Sequence, residues 1–288
     1  MKSISTIFIL SLLLIFCSCK QRSGNNKIIS VPKDNIEKNT LPKEERKEQV
    51  TRDEIADSLS LDKVLNEAIR IAKQNIQTDN YYKEYEITLE GSSYNVAVNI
   101  RIGRLFSKKQ RHILIRRRAP WGVYIDIYHI KGNKLASVLN RLQHGMSYVN
   151  DTIRDVDGDG MRDFLVHLYP ESGCCRRDIF NVYLNLTDKG AFSREYQFIN
   201  PTFSPKEKII RGVQYGHPGE VGLYKYKWNN FNVDTIEFIY PDKADTINHS
   251  YFLTNKELYS SENVKRIKLK SIPKEYRTIE SFEWFNEY

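Results

Sequence analysis

Tyr94-Asn95-Val96-Ala97-Val98-Asn99-Ile100-Arg101-Ile102 alternates without a break, with large apolar side chains on the even positions. A period of two puts one set of side chains on each face of an extended strand, so this stretch reads as a strand buried on one face. The same rhythm recurs at 111–117, 122–130, 134–141, 147–154, 162–169, 179–186, 192–199, 207–214, 221–229 and 232–240. Turn signals separate many of these runs: Gly91-Ser92, Lys131-Gly132-Asn133, Asp188-Lys189-Gly190 and Asn229-Asn230. Short strands at this spacing predict an all-β, antiparallel, multi-stranded domain, either a sandwich or propeller-like. Aromatic positions dominate the inward sets, as in Phe180, Val182, Leu184 and Tyr224, Tyr226, Trp228. No strict repeat is present, so period alone does not establish a propeller.

Upstream of the strands the period changes. Leu61, Val64, Leu65, Ala68, Ala72 and Ile76 fall on one stripe of a helix over 58–78, with Ser60 as N-cap and Asp62 in the first turn. This helix is expected to pack on the β domain. Residues 20–50 are rich in Lys, Glu, Asn and Gln, with Pro32 and Pro42 and no apolar period, and read as a solvated tether. The expected organisation is a leader at 1–18, a tether at 19–57, the helix and β domain at 58–270 and a tail at 271–288. After residue 254 the sequence is charged and irregular, and only Val264 to Leu269 suggests a last strand.

The leader carries an address. Lys2 is the only charge before Lys20, and Ile7 to Phe16 is nearly all apolar. The run is too short to span a bilayer comfortably and reads as a secretory signal. It ends in Phe16-Cys17-Ser18-Cys19, where a small residue directly precedes a cysteine. This resembles the lipobox of bacterial lipoproteins, with Cys19 as the lipidated new N-terminus. A plain signal peptide or an uncleaved anchor are the alternatives. Acyl chains contribute about 0.8 kcal/mol per buried methylene, so two or three hold a protein on a membrane without a transmembrane helix. Lys20 after the anchor is not an inner-membrane retention signal, and Gln21-Arg22-Ser23-Gly24 lacks an acidic export cluster. The expected location is the periplasmic face of an outer membrane.

Composition narrows the class. Of the residues, 40% are hydrophobic and 28% charged, an ordinary soluble balance rather than a disordered or membrane-spanning one. Four cysteines are too few for a disulfide-built miniprotein. Removing residues 1–18 takes away Lys2 alone, so the net charge of +8 becomes +7. That excess suits an acidic protein partner or an anionic envelope surface. No nucleic-acid motif accompanies it, so no nucleic-acid partner is expected. Basic residues concentrate at Lys108-Lys109-Gln110-Arg111 and Arg116-Arg117-Arg118, which also fits a solvated strand edge that resists aggregation.

The most specific chemistry lies in Asp155-Val156-Asp157-Gly158-Asp159-Gly160-Met161-Arg162-Asp163. Carboxylates occupy positions 1, 3, 5 and 9, and glycine occupies position 6, where a calcium loop turns sharply. Calcium takes about six to eight oxygens at about 2.3–2.6 Å. Asp155, Asp157 and Asp159 can each supply one, Met161 its backbone carbonyl, and Asp163 one or two more. A structural Ca2+ is therefore expected here. Position 12 is Val166, not the bidentate Glu of an EF-hand, and both flanks read as strands.

The strand–loop–strand pattern, followed by Phe164-Leu165-Val166, resembles the calcium hairpins of FG-GAP and integrin-type β-propeller repeats. The resemblance extends through Arg111 to Ile115, Ile125 to Tyr128, Ile153 to Gly160, Tyr183-Leu184, Asn200 to Phe203 and Tyr224 to Asn230. Over about half the chain it resembles a bacterial periplasmic lipoprotein family with one such loop, a family that includes a periplasmic lysozyme-toxin inhibitor. The resemblance implies a calcium-bearing, propeller-like β domain that binds a protein, and an inhibitory action on an acidic, peptidoglycan-cleaving toxin. No inhibitory residue maps onto this chain.

Other residues give weaker signals. Cys174 and Cys175 form an even pair in an oxidising compartment. Adjacent Cα atoms lie about 3.8 Å apart, below the usual disulfide separation of about 4.4–6.8 Å. A strained vicinal bridge, two free thiols and a bridge to another chain all stay open. His112, His129, His144, His167, His217 and His249 are scattered, with no zinc spacing. The chain has no Gly-x-Ser-x-Gly elbow, phosphate-binding glycine loop or Cys-His signature. A non-catalytic binding module is the expected class. An envelope glycan hydrolase, whose carboxylate pair needs no fixed sequence spacing, and a structural surface protein are the alternatives.

Overall fold

The structure is a computed structural model and describes residues 43–89, 94–170, 175–186, 190–245, 247, 250–258 and 264–286; the side chains of 43 and 52–56 also lie outside that set. The expected leader, Cys19 and Cys174 lie outside the described residues. The chain divides into two units, Met1–Gln49 and Val50–Tyr288. Among the described residues no helix is long and apolar enough to cross a membrane.

The first element, α1, runs Lys43–Gln74. It starts at Lys43 instead of residue 58, so part of the stretch expected as tether is helical. Residues 44–50 are exposed, and their straight-chain Lys, Glu, Arg and Gln side chains are strong helix formers. Glu44 and Glu45 in the first turn complement the helix dipole. A solvated helix needs no apolar stripe, which is why periodicity missed it. In the second unit the stripe behaves as expected: Leu61, Val64, Ala68, Ile71 and Ala72 are buried.

All sheets are antiparallel. The first holds β1 (Tyr81–Thr88), β2 (Asn95–Gly103), β3 (His112–Ala119), β4 (Gly122–Lys131) and β5 (Lys134–His144) in chain order. Next come β6 (Tyr148–Arg154), β7 (Asp163–Leu168), β8 (Ile179–Tyr183), β9 (Asn185–Leu186), β10 (Ala191–Phe192) and β11 (Tyr196–Ile199). Of these, β11-β8-β7-β6 form a four-stranded sheet and β10-β9 a small ribbon. The last sheet runs in chain order through β12 (Pro201–Ser204), β13 (Ile209–Val213), β14 (Leu223–Asn229), β15 (Asn232–Pro241), β16 (Tyr251–Thr254) and β17 (Ile267–Leu269). The fold is all-β and sandwich-like, with no closed barrel among the described residues.

Alternation stacks these layers. On the first sheet Val96, Val98, Ile100, Ile102, Ile113 and Ile115 face α1. From its opposite face Leu114, Val123, Ile125 and Ile127 meet Phe164 and Val166 of β7. Leu165, one residue along β7, points the other way and joins Val182, Tyr224, Trp228 and Phe238 between the second and third large sheets. Each fully buried aliphatic side chain of this kind contributes about 1.5–3 kcal/mol relative to exposure. Tight turns hold the register. Lys131 pairs with Lys134 around Gly132, whose φ of 59° glycine adopts without a Cβ clash.

Two expectations change. The segment expected as a tail closes the far face of the third sheet. Ile272, Tyr276, Ile279 and Phe285, the last in a short helix α2 (Phe282–Asn286), are buried against Val213, Leu223 and Ile239. Its apolar residues sit among charges with no regular period, so pattern reading could not find them. The arginine run is also not a solvated edge, because β3 is the central strand of its sheet. Arg117 is buried and ion-paired with Asp126 at 2.9 Å, while Arg116 pairs with Asp151 of β6 and Arg118 lies 5.6 Å over the Tyr148 ring.

Candidate metal centre

The aspartate loop joins β6 to β7. Asp155 to Arg162 form the turn, and Asp163 is the first residue of β7, paired with Arg154. The backbone is bent by its glycines: Gly158 has φ 76° and Gly160 has φ 86°, both in the left-handed region. At Gly158 there is a second reason, since a Cβ would lie 2.1 Å from the Pro205 carbonyl oxygen. At Gly160 a Cβ would meet nothing within 4 Å, so conformation alone selects glycine there.

Carboxylates fold the loop onto itself. Asp155 accepts the Gly158 N–H at 2.7 Å and the Gly160 N–H at 3.0 Å. Asp157 accepts the Asp159 N–H at 3.1 Å, and Asp159 accepts the Met161 N–H at 2.6 Å. As a result one oxygen each of Asp155, Asp157 and Asp159 lies within 4.8 Å of the others. Oxygens on opposite sides of one Ca2+ are about 5 Å apart, so the spacing fits a single ion of that size. The donor set, all oxygen, suits a hard divalent cation.

Asp163 stands differently. It is fully buried, and each oxygen already accepts a backbone N–H: Oδ1 from Asn185 at 2.9 Å and Oδ2 from Val156 at 3.0 Å. Its carboxylate is not part of the three-oxygen cluster. The structure therefore brings together three of the four predicted aspartates and gives the fourth an anchoring position beneath them. Met161 lies in the same turn, half-buried.

Two of these carboxyls are raised above the ordinary carboxylate range. Burial, reinforced by Asp159, pushes the Asp157 carboxyl up to about 6. Burial also lifts Asp163 to about 8, against the pull of its two N–H donors and with the push of Asp157. A divalent cation reverses this balance, because attraction to the ion favours the ionised carboxylates.

Residues far away in sequence hold the loop from outside. Phe106 O accepts the Arg162 N–H at 2.8 Å, and Arg104 O accepts from the Arg162 guanidinium at 2.6 Å. Asn185 Nδ2 also donates to Phe106 O, at 3.3 Å. The Pro205–Lys208 turn closes over Gly158. None of these has a local signature; Gly158 was the one hint, since a glycine outside the sixth position signals close backbone approach.

The other candidates are dispersed. Cys175 is buried and disulfide-bonded, with His217 Nδ1 3.8 Å from its sulfur. Among the histidines, His112 and His129 pair across β3 and β4 and stack at 5.2 Å. Both are buried, and both Nδ1 atoms lack a partner among the described residues. Burial, with His129 alongside, lowers His112 to about 4. His167 Nε2 lies 2.7 Å from Asp178 Oδ1.

No family model, curated protein or solved structure matches this chain.

Proposed function

We propose that this chain is a lipid-anchored protein of the bacterial cell envelope whose β domain carries a structural Ca2+ and acts by binding another protein. The observation that carries the calcium reading is the convergence of Asp155, Asp157 and Asp159 oxygens within 4.8 Å above the buried Asp163. A cation there pins the β6–β7 turn, and with it the second sheet, on which both other large sheets pack. Millimolar calcium outside the cytoplasm suits the affinities of about 10⁻⁴–10⁻³ M found in extracellular modules.

The resemblance at the aspartate loop directs the binding reading towards inhibition of a peptidoglycan-cleaving toxin, and the mature charge of +7 favours an acidic one. The test has two parts. Purified protein should melt at a higher temperature in millimolar Ca2+ than in chelator. It should also slow peptidoglycan lysis by an acidic lysozyme-type enzyme in a turbidity assay, with saturation at one inhibitor per enzyme. Melting indifferent to chelator removes the calcium reading. Undiminished lysis by a panel of such enzymes removes the inhibitory one.

A further inference from the structure

On the α1 side of the first sheet, the helix and strands β3 to β5 enclose a cleft of about 600 Å³. This lies within the roughly 300–1,000 Å³ of small-ligand sites. One wall is α1, which contributes the carboxylates of Asp57 and Asp62 and the apolar side chains of Leu61 and Leu65. The facing wall is aromatic, with Trp121 of the β3–β4 turn beside Tyr124 of β4. The Trp121 indole N–H donates to the Tyr124 hydroxyl at 3.0 Å, and its ring meets Tyr94 in a T-shaped contact at 6.1 Å. The aromatic wall is thus held in place by the protein's own contacts.

The charge of the cleft follows from what is already paired. Arg117 borders it, but its guanidinium is buried and neutralised by Asp126 at 2.9 Å. Asp126 also accepts from the Asn140 amide at 2.5 Å. That pair is balanced inside the wall and offers a ligand no net charge. Asp57, half-buried, and Asp62, exposed, have no ion-pair partner among the described residues. The cleft is therefore acidic, although the chain as a whole carries a net charge of +8. Along α1, Asp57 and Asp62 are separated by an axial rise of about 7.5 Å, so they form two distinct anchor points.

We propose that this cleft binds a linear diamine or polyamine. Each of two ammonium groups meets one helix carboxylate, and the methylenes between them lie over Leu61, Leu65 and the Trp121 ring. An indole face also attracts a cation within about 6 Å. The nitrogens of an extended butane-1,4-diamine unit are about 6 Å apart, close to the rise between the two carboxylates. Charge decides against the other small-ligand classes. An anion is repelled by Asp57 and Asp62, a neutral ligand leaves both without a counter-charge, and a single cation satisfies only one. The cleft shares no residue with the aspartate loop, so it stands apart from the calcium reading.

The test is a titration of the full chain with putrescine and spermidine, followed by tryptophan fluorescence and calorimetry at low ionic strength and fixed millimolar Ca2+. Butane-1,4-diol is the neutral arm, choline the singly charged one and succinate the anionic one. Saturable binding of one putrescine or one spermidine per chain is expected, with no saturation by the diol or by succinate and weaker binding of choline. Asp57→Asn and Asp62→Asn keep the side-chain shape and remove the charge, and each should weaken binding about tenfold with an unchanged melt. Trp121→Ala should weaken it by at least as much. The proposal is overturned by no saturable binding of either amine, by choline, the diol or succinate binding as tightly as putrescine, or by unchanged affinity in either carboxylate variant.

Discussion

Asp163 reaches across from β7 to the backbone of Asn185, whose N–H it accepts at 2.9 Å at the start of β9. With Val156 held on its second oxygen, one buried carboxylate at the start of β7 ties the aspartate loop to the β9–β10 ribbon. Removing that carboxylate strands two buried N–H donors, each costing about 1–3 kcal/mol. Asp163→Ala should therefore destabilise the protein by about 2–5 kcal/mol in urea denaturation, and by a similar amount in chelator. Asp157→Ala should lower stability only in Ca2+, with little further effect of chelator. Equal chelator dependence of the two variants would contradict this division of roles.

The two loop glycines should differ in cost. Gly160→Ala meets open space and carries only the left-handed backbone penalty, about 1 kcal/mol. Gly158→Ala adds a collision with the Pro205 carbonyl and should cost about 2–4 kcal/mol. Chemical denaturation of the two variants side by side checks the order.

The Arg117–Asp126 pair is almost completely buried on both sides. Arg117→Met leaves Asp126 charged in the interior and removes the guanidinium bond to Leu61 O, and should cost about 3–5 kcal/mol. Arg117→Met combined with Asp126→Leu should recover much of that loss, because the desolvated charge is gone. A double variant as unstable as the single one would show that packing, not charge, dominates there.

Stability should fall in acid through His112. Its folded pKa, about 4, lies below the ordinary value of 6.5, so the unfolded chain takes up the proton first. This contribution is fully present above pH 6.5, is lost as pH falls towards 4, and changes no further below that. The shift corresponds to about 3 kcal/mol at most. His112→Phe should flatten the slope of unfolding free energy between pH 6.5 and 4, measured at fixed Ca2+.

Strand positions were legible because one-sided burial imposes a period of two, and β3, β4, β7 and β15 fall close to where alternation placed them. The aspartate cluster was legible because a nine-residue loop is local. Interactions spanning the chain were not. Nothing near Asp163 announces Asn185, and nothing near Gly158 announces Pro205. Arg117 breaks the apolar pattern of its own strand face, so sequence could not distinguish a buried ion pair with Asp126 from a solvated charge. β12 and β16 are only four residues each, too short for alternation to stand out.

The buried positions of Tyr276 and Phe285 bear on the order in which the protein can be completed during synthesis. Until Tyr276 and Phe285 have been made and docked, Val213, Leu223 and Ile239 have no cover, and an exposed apolar sheet face is prone to aggregate. Docking of the 272–285 segment is thus the step that seals it. A premature stop codon shortly before Phe285 should yield insoluble protein even though every strand has been translated.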